Sequence, residues 1–427
     1  MTQSTPVRLL AAAAITAILA VACGSDTSSP TPTTAQTSPP PASAAPASTA
    51  PTSADTTAIY DEIEAGVIAI RGLRPAEVDR QTIDGDALKA FNAKSFDEDN
   101  PAEYVAATER LFKALGLMPQ ADSLKALFLE LIDSQVAGFY DPDEKQLFVV
   151  SRSGAINGAD KITFAHEYDH ALQDANFDVF AEQKELLDQS DRALARAALY
   201  EGDATLLMAI WAQANLTPDE FAEVLAAGSD PAALEVLGRT PSILVDGLLF
   251  PYTAGQAFLL PIQQSGGWAA VDALYADLPE STEQILHPAK YKAGESPIAV
   301  SLPAVATSLG TGWTEAIQDT FGEFQIRTWL HEAGVRNADA TAAAGGWGGD
   351  RLAVLNGPAD AWAVIMKTEW DSAGDAAEFE SAATTAAEAA GGSAAVLPGE
   401  GGTVRWFVVG SDDATLTAVA SALGLAG

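Results

Sequence analysis

The sequence contains a single cysteine, Cys23, among 427 residues, and this scarcity excludes several kinds of structure. A chain with one cysteine has no intramolecular disulfide, so its core must be held together by packing alone. Cysteine-rich zinc sites and redox pairs of the Cys-x-x-Cys type are excluded for the same reason. Any metal site in this chain must therefore be built from histidine, aspartate or glutamate.

Basic residues are also few, because 23 lysines and arginines stand against 58 aspartates and glutamates, for a formal net charge of -35 at pH 7. Nucleic acids and anionic membrane surfaces are bound through clustered positive charge. The composition therefore argues against a nucleic-acid partner and against a polybasic membrane patch. Apolar residues, by contrast, make up 48% of the chain, which is enough for at least one large core.

The N-terminal region has the pattern of an export signal. Arg8 is the only charged side chain before an apolar run at 9–22, and this run is shorter than the roughly 20 residues that span a bilayer. The run ends in Leu-Ala-Val-Ala-Cys-Gly at 19–24, which resembles the processing site of a bacterial lipoprotein. We predict a signal peptide at 1–23 and a lipid anchor at Cys23, which would hold the protein on the outer face of the cell membrane. Without lipidation of Cys23 the protein would be secreted.

Changes in composition divide the remainder of the chain. Residues 24–56 are almost wholly Pro, Ala, Ser and Thr, which predicts a disordered tether. Residues 57–340 show mostly helical periodicity, with a β-hairpin predicted at 138–151. The expected fold class is α+β: a mainly helical domain with a short hairpin or sheet, then a small α/β domain at 341–427. In that last domain, strands are predicted at 351–355, 361–367 and 403–409, and helices at 373–390 and 414–423.

The strongest chemical signal is the sequence His-Glu-Tyr-Asp-His at residues 166–170. In a helix, His166 and His170 lie one turn apart on the same face, so both imidazoles can bind one metal ion. Glu167 lies about 100° around the helix, where it can reach a water molecule activated by the metal without binding the metal itself. Because the chain has only four histidines, this spacing is rare by chance. It predicts a zinc site if a third ligand is present.

The third ligand is predicted from a helical pattern downstream. Residues 193–213 carry an apolar stripe in which Glu201 occupies a core position. A buried carboxylate costs on the order of several kcal/mol unless a cation or a strong donor compensates it, so Glu201 is the preferred ligand. Gly202 weakens a helix and indicates a close backbone approach at this point. Asp203 is the competing ligand, and pairing of Glu201 with Arg196 is the alternative without a metal.

This arrangement resembles the gluzincin, or thermolysin-like, group of zinc metallopeptidases, and within it a set of bacterial exported proteins. The resemblance covers roughly residues 59–332 and includes motifs at 136–142, 166–174, 201–204 and 281–288. It implies a zincin-like domain that holds one zinc ion per chain through His166, His170 and Glu201. It also implies that Glu167 is the general base of peptide-bond hydrolysis, with exported or cell-envelope proteins as substrates.

The ligand set leaves a fourth zinc position for water, from which Glu167 would pass a proton to the leaving amine. The oxyanion then needs a further donor, for which His287 and Tyr291 are predicted, with Tyr200 and Tyr252 as alternatives. The hairpin at 139–151 either presents an edge strand to an extended peptide or is only structural.

Two positions depart from the family pattern. Asp169 places a charge where zincin helices carry an uncharged residue, and Thr205 stands where an aspartate would brace a metal-bound histidine. Asp203 and Asp174 are therefore predicted to support the metal-binding histidines.

The sequence thus predicts a zinc metallopeptidase whose partners are a peptide or protein substrate and a membrane, reached through Cys23. The alternative is a metal-binding but inactive lipoprotein that acts as a chaperone or binding module. A third reading is a surface lipoprotein with a coincidental motif.

Overall fold

The computed structural model describes residues 13–15, 53–151, 156–181 and 186–425. These residues form sixteen α-helices and nine strands, so the protein is α+β. The helices are α1 Ser53–Arg71, α2 Gly85–Asp99, α3 Ala102–Ala114, α4 Leu124–Gln135, α5 Gly158–Phe177, α6 Ser190–Asn215, α7 Pro218–Ala227, α8 Pro231–Arg239, α9 Ser242–Asp272, α10 Thr282–Leu286, α11 Pro288–Ala293, α12 Val305–Leu309, α13 Gly322–Glu332, α14 Asn337–Ala344, α15 Ala373–Ala386 and α16 Asp413–Ala422. The strands are β1 Ala13–Ile15, β2 Asp79–Ile83, β3 Val136–Asp141, β4 Gln146–Val150, β5 Thr314–Asp319, β6 Trp347–Asn356, β7 Trp362–Trp370, β8 Ser393–Pro398 and β9 Val404–Gly410.

The first sheet has the strand order β1-β3-β4-β2. Strands β3 and β4 form the hairpin that the sequence predicts. Strand β2 runs parallel to β4, and β1 pairs antiparallel with the other edge of β3. The sequence does not predict β2, because this strand is largely exposed and has no alternating apolar pattern.

The predicted N-terminal segments fall mostly outside the described residues. Two parts of them are described. Residues 13–15 of the predicted signal peptide form β1, and residues 53–56 of the predicted tether belong to the first turn of α1. Helix α1 therefore begins earlier than the composition indicated.

The second sheet is antiparallel, has the order β5-β6-β7-β9-β8, and is covered by helices on both faces. Alternate residues of β6 point to opposite faces: Leu352 belongs to a core with α13, α14 and α15, whereas Ala353 belongs to a core with α12 and α16. The first strand predicted from sequence lies within β6, and the other two overlap β7 and β9 but begin one residue too early. The edge strands β5 and β8 were not predicted, because few of their residues are fully buried.

The domain boundary predicted near residue 340 falls inside α14 and would separate β5 from its sheet. We refer to the segment from β5 to α16 as the second unit and to the described residues before it as the first unit. The second unit is joined to the first unit through a shared core, to which α3 contributes Leu111 and α13 contributes Trp329. The indole Nε1 of Trp329 donates a hydrogen bond to the carbonyl of Leu115 across this junction.

Helices α5 and α6 lie at the centre of the first unit. Helix α5 begins with a capping box formed by Asn157 and Asp160 and is buried along most of its length. Helix α6 crosses α9 in close contact, since a Cβ added to Gly202 would lie 2.3 Å from the backbone carbon of Gly255. The close approach predicted at Gly202 is therefore an approach of two helices.

One helical stretch among the described residues, Ser242–Ala276, is long and apolar enough to cross a membrane by length and composition alone. Most of it is α9, which packs along α6 and buries Phe250, Phe258 and Leu259 in the core.

Candidate metal centre

Three potential ligands meet where α5 and α6 face each other. The Nε2 atoms of His166 and His170 lie 3.1 Å apart, and Oε2 of Glu201 lies 3.1 Å from the first and 3.2 Å from the second. Ligand atoms about 2.0–2.1 Å from a tetrahedral zinc ion would lie about 3.3 Å from one another. All three side chains are buried, and their donor atoms can hold one metal ion. The structure therefore brings together the three residues predicted as ligands, in an arrangement that fits zinc.

The electrostatics of this group favour a cation. Burial raises the pKa of the Glu201 carboxyl, but His170 and His166 lower it more, to about 2. Burial lowers the pKa of His170, whereas the carboxylates of Glu201 and Glu167 raise it, to about 10. Burial lowers the pKa of His166. The buried Glu201 carboxylate thus stabilises the protonated form of His170. A divalent metal ion bound at the same place would compensate the charge of Glu201 instead of that proton.

Gln173 orients one of the two histidines. It lies on α5 one turn after His170, and its Oε1 accepts a hydrogen bond from the His170 Nδ1 over 2.9 Å. The Gln173 Nε2 is held in turn by the carbonyl of Tyr200 at 2.9 Å. Because Nδ1 carries the proton in this arrangement, the lone pair of Nε2 is directed to the centre. The sequence analysis did not identify Gln173, although its spacing of three from His170 was the signal that could have found it.

The Gln173→Leu variant is expected to bind zinc about 10–100-fold more weakly, because His170 loses the acceptor that fixes its tautomer. The Gln135→Leu variant makes the same change at a glutamine that is also buried but lies on α4, where it contacts Ser134 and Ala233. Competition with a zinc-sensitive chelator would measure both. Equal affinities in the two variants would show that Gln173 does not support His170.

The other histidine has no such support in the described part of the chain. The Nδ1 of His166 and the Oγ1 of Thr205 are both buried without a hydrogen-bond partner there. The ring of His166 instead packs against Tyr252, with ring centroids 5.9 Å apart. Thr205, which stands where the family pattern has a supporting aspartate, therefore makes no hydrogen bond to His166.

The predicted supports Asp203 and Asp174 have other partners. Asp203 accepts hydrogen bonds from Arg71 at 2.9 Å and from Tyr275 at 2.6 Å, and reaches Gln173 only at 3.5 Å. Asp174 accepts a hydrogen bond from Tyr140 at 2.8 Å, so it joins α5 to β3. Neither aspartate hydrogen-bonds to a metal-binding histidine. Asp203 is linked to His170 only through Gln173, and Asp174 instead connects α5 to β3, so their predicted support of the histidines stays a prediction.

Arg71 forms an ion pair with Asp169, the residue whose charge departs from the family pattern. The guanidinium is completely buried at the end of α1 and binds Asp169 at 3.0 Å and Asp203 at 2.9 Å. A third carboxylate, Asp272, lies 3.0 Å away, and the ring of Trp268 stacks on the guanidinium. One buried cation thus neutralises charges from α5 and α6 and ties these helices together. The sequence analysis did not identify Arg71, because nothing in its local pattern indicates partners far along the chain.

The Arg71→Met variant is expected to lose about 3–5 kcal/mol of the free energy of unfolding, because two buried carboxylates are left without their cation. Urea denaturation would measure the loss. The Arg80→Met variant is a matched control, since Arg80 pairs with Asp61 and Glu64 at a partly exposed position and its loss should cost under about 1 kcal/mol. A similar small loss in both variants would contradict the structural role of Arg71.

Glu167, the predicted base, lies beneath strand β3. Its side chain is 0% exposed. A Cβ added to Gly138 of β3 would lie 3.4 Å from Cγ of Glu167 and 2.6 Å from Cγ2 of Thr163, so a larger residue would not fit there. The absence of a side chain at Gly138 brings the backbone of β3 close to Glu167. The outer edge of this strand pairs with β1, with Ala14 opposite Gly138.

The two predicted oxyanion donors are elsewhere. His287 is 44% exposed at its side chain, and its Nε2 lies 2.9 Å from a carboxylate oxygen of Glu323. Tyr291 donates its hydroxyl hydrogen to the carbonyl of Asp277 at 2.6 Å. Within the described residues, no hydrogen bond or ring contact joins either of them to the three ligands. Their hydrogen bonds link α10 and α11 to Glu323 and Asp277, and their role as oxyanion donors stays a prediction.

A second acidic group, Glu283, Glu295 and Asp371, has the spacing of a metal site but holds an ammonium group. The Nζ of Lys290 lies 2.7 Å from a carboxylate oxygen of each of the three. This cluster joins α10 and α11 to the second unit.

Comparison with known proteins adds one finding. Residues 311–422 match a family described as a domain of unknown function, DUF8575. The match coincides with the second unit, from β5 to α16, and does not include the metal centre. No curated protein and no solved structure matches the chain.

Proposed function

We propose that this protein is a zinc-dependent peptidase with a zincin-like domain that holds one zinc ion through His166, His170 and Glu201. The observation that carries the proposal is the convergence of these three buried donors beside the equally buried Glu167. The ligand geometry alone is compatible with metal storage. A fully buried glutamate one residue after the first ligand is the feature that favours hydrolysis, because a binding protein has no chemical need for it.

The reaction assigns one role to each group. Zinc held at the centre would supply Lewis-acid polarisation of the peptide carbonyl and of a water molecule. Glu167 takes a proton from the attacking water and delivers it to the nitrogen of the leaving amine. His170 is kept in the correct tautomer by Gln173, and the burial of the site excludes bulk water.

Strand β3 supplies a place for the peptide. Its outer edge pairs antiparallel with the extended segment β1, and Gly138 of the same strand faces Glu167, which supports this proposal. Residues 13–15 lie within the segment predicted to be a signal peptide. Once that peptide is removed, the edge of β3 would be available to a substrate. We propose that the mature protein is exported, is anchored through Cys23 and acts on exported or cell-envelope proteins.

Two observations favour the alternative of a metal-binding protein without activity. Neither predicted oxyanion donor contacts the centre, and His166 has no hydrogen-bonding support among the described residues. An inactive relative would still bind zinc and would serve as a chaperone or binding module.

The test begins with elemental analysis of the purified chain from residue 57 onward. The expected result is one zinc per chain and zinc-dependent cleavage of a mixed library of quenched fluorescent peptides, lost after chelation and restored by zinc. Zinc without cleavage would support the inactive alternative. Absence of zinc after incubation with excess metal would refute both.

A further inference from the structure

A narrow cavity of about 240 Å³ extends from the metal centre along helix α6. His170, Glu201 and Tyr200 form its inner end, and Ser190, at the start of α6, lies at the other end. Eleven helical steps of about 1.5 Å lead from Ser190 to Glu201, so the part of the cavity along α6 is about 16 Å long. A space of this length is longer than any amino-acid side chain.

The walls of the cavity are mainly apolar. They come from α3, α6 and α9 of the first unit and from β5, α13 and β6 of the second. Half-buried leucines, Leu186, Leu187 and Leu248, place part of the lining near the surface. At the far end the polar groups already have partners, since Asp319 accepts hydrogen bonds from both the amide and the hydroxyl of Ser190. Arg196 of α6 is a further charged lining residue, and elsewhere along the wall an occupant would be held by apolar contact.

The second unit supplies one side of this cavity. Ile317 of β5, Phe321 and Gln325 next to and on α13, and Leu352 of β6 all contribute to the wall. The domain of unknown function thus lines the same cavity as the candidate metal ligands His170 and Glu201.

We propose that this cavity binds the unbranched acyl chain of an acylated peptide, with the amide end of the chain at His170 and Glu201. The binding of the chain needs only the apolar walls. The cleavage of such a peptide rests on the proposed function. In that reaction water adds across an amide bond, the C–N bond breaks, and a carboxylate and an amine are released.

Gly247 allows a sharp test. It lines the cavity from α9, and a Cβ added there would meet no atom within 4 Å. The phenyl ring of the Gly247→Phe variant should therefore fill the cavity. Glycine has a low helix propensity, so its replacement should not destabilise α9. Gly238→Phe is the matched control, because Gly238 also lies in a helix with open space around it but is exposed on α8, away from the cavity.

The probes are neutral glycinamides that carry hexanoyl, octanoyl or decanoyl chains, titrated calorimetrically into metal-free and zinc-loaded protein. The affinity of the parent protein and of Gly238→Phe is expected to rise roughly fourfold per methylene group. Gly247→Phe is expected to bind decanoyl glycinamide at least tenfold more weakly, while thermal unfolding shows that it is folded. Equal binding by the parent and Gly247→Phe, or no dependence on chain length, would overturn the proposal.

The acyl-binding proposal and the peptidase proposal can be refuted independently of each other. Binding of the decanoyl chain to metal-free protein, blocked in Gly247→Phe, would establish the acyl site even if no peptide were cleaved. Cleavage of unacylated peptides without any binding of the acyl probes would leave the peptidase proposal standing and refute the acyl site. If both hold, a decanoyl peptide should be cleaved at least tenfold more efficiently than the acetyl peptide of the same sequence.

Discussion

The Glu167→Gln variant is expected to bind zinc as the parent does and to lose about 10²–10⁴-fold in kcat. Glutamine has nearly the same size as glutamate, so the packing beneath β3 should be preserved. It has no carboxylate to accept a proton from water, and this is the reason for the loss. The measurement is zinc content by elemental analysis together with kcat on the best peptide of the library.

A matched control for this substitution is Glu323→Gln. Glu323 is also almost completely buried, but it lies on α13 and contacts His287. A glutamine there can keep the hydrogen bond to the imidazole, so kcat should stay within about twofold of the parent value. If Glu167→Gln cleaved peptides as fast as Glu323→Gln, Glu167 would not be the base.

The Glu201→Ala variant is expected to lose zinc, with an affinity reduced by more than about a hundredfold, because a ligand matters more than the groups that orient it. Mass action provides a second readout. Zinc at a hundredfold excess over its Kd stabilises a protein by about 2.7 kcal/mol, so the parent should unfold at a higher temperature with zinc than without it. Glu201→Ala should show no such difference at the same zinc concentration.

The control for Glu201→Ala is Asp203→Asn, which tests the competing ligand on the same helix. The carboxylate of Asp203 is turned to Arg71 and Tyr275 and away from the two imidazoles. Asp203→Asn should therefore retain one zinc per chain, even if the protein becomes less stable. Loss of zinc in Asp203→Asn but not in Glu201→Ala would make Asp203 the third ligand.

The second unit contacts the helix that carries Glu201. Its edge strand β5 and helix α13 pack against α3 and the start of α6, and α6 also carries Glu201. Ser190 at the start of α6 is bound by Asp319 of β5. The amide of Phe324 on α13 donates to the hydroxyl of Thr282, which in turn donates to Asp191 of α6. The second unit therefore holds the helix that supplies the third ligand, and separate expression of the two units would remove this support.

The sequence by itself determined the parts of this protein that depend on local periodicity. The spacing of His166 and His170 places both imidazoles on one helical face, and the apolar stripe of α6 predicts that Glu201 is buried. The hairpin of β3 and β4 and the central strands β6, β7 and β9 were likewise predicted, because buried strands carry a strong apolar signal. Edge strands such as β5 are paired on one side only and carry a weaker signal.

The tertiary structure alone decided which side chains support the centre. Arg71 meets Asp169 and Asp203 across separations of 98 and 132 residues, and no local pattern encodes such a pairing. His287 was predicted as an oxyanion donor from its place on a loop after a helix, and only the packing of α10 shows that it contacts Glu323. The ligands of a helical motif follow from the geometry of one helix. Their supporting partners come from distant segments, and only the packing of those segments determines which of them meet.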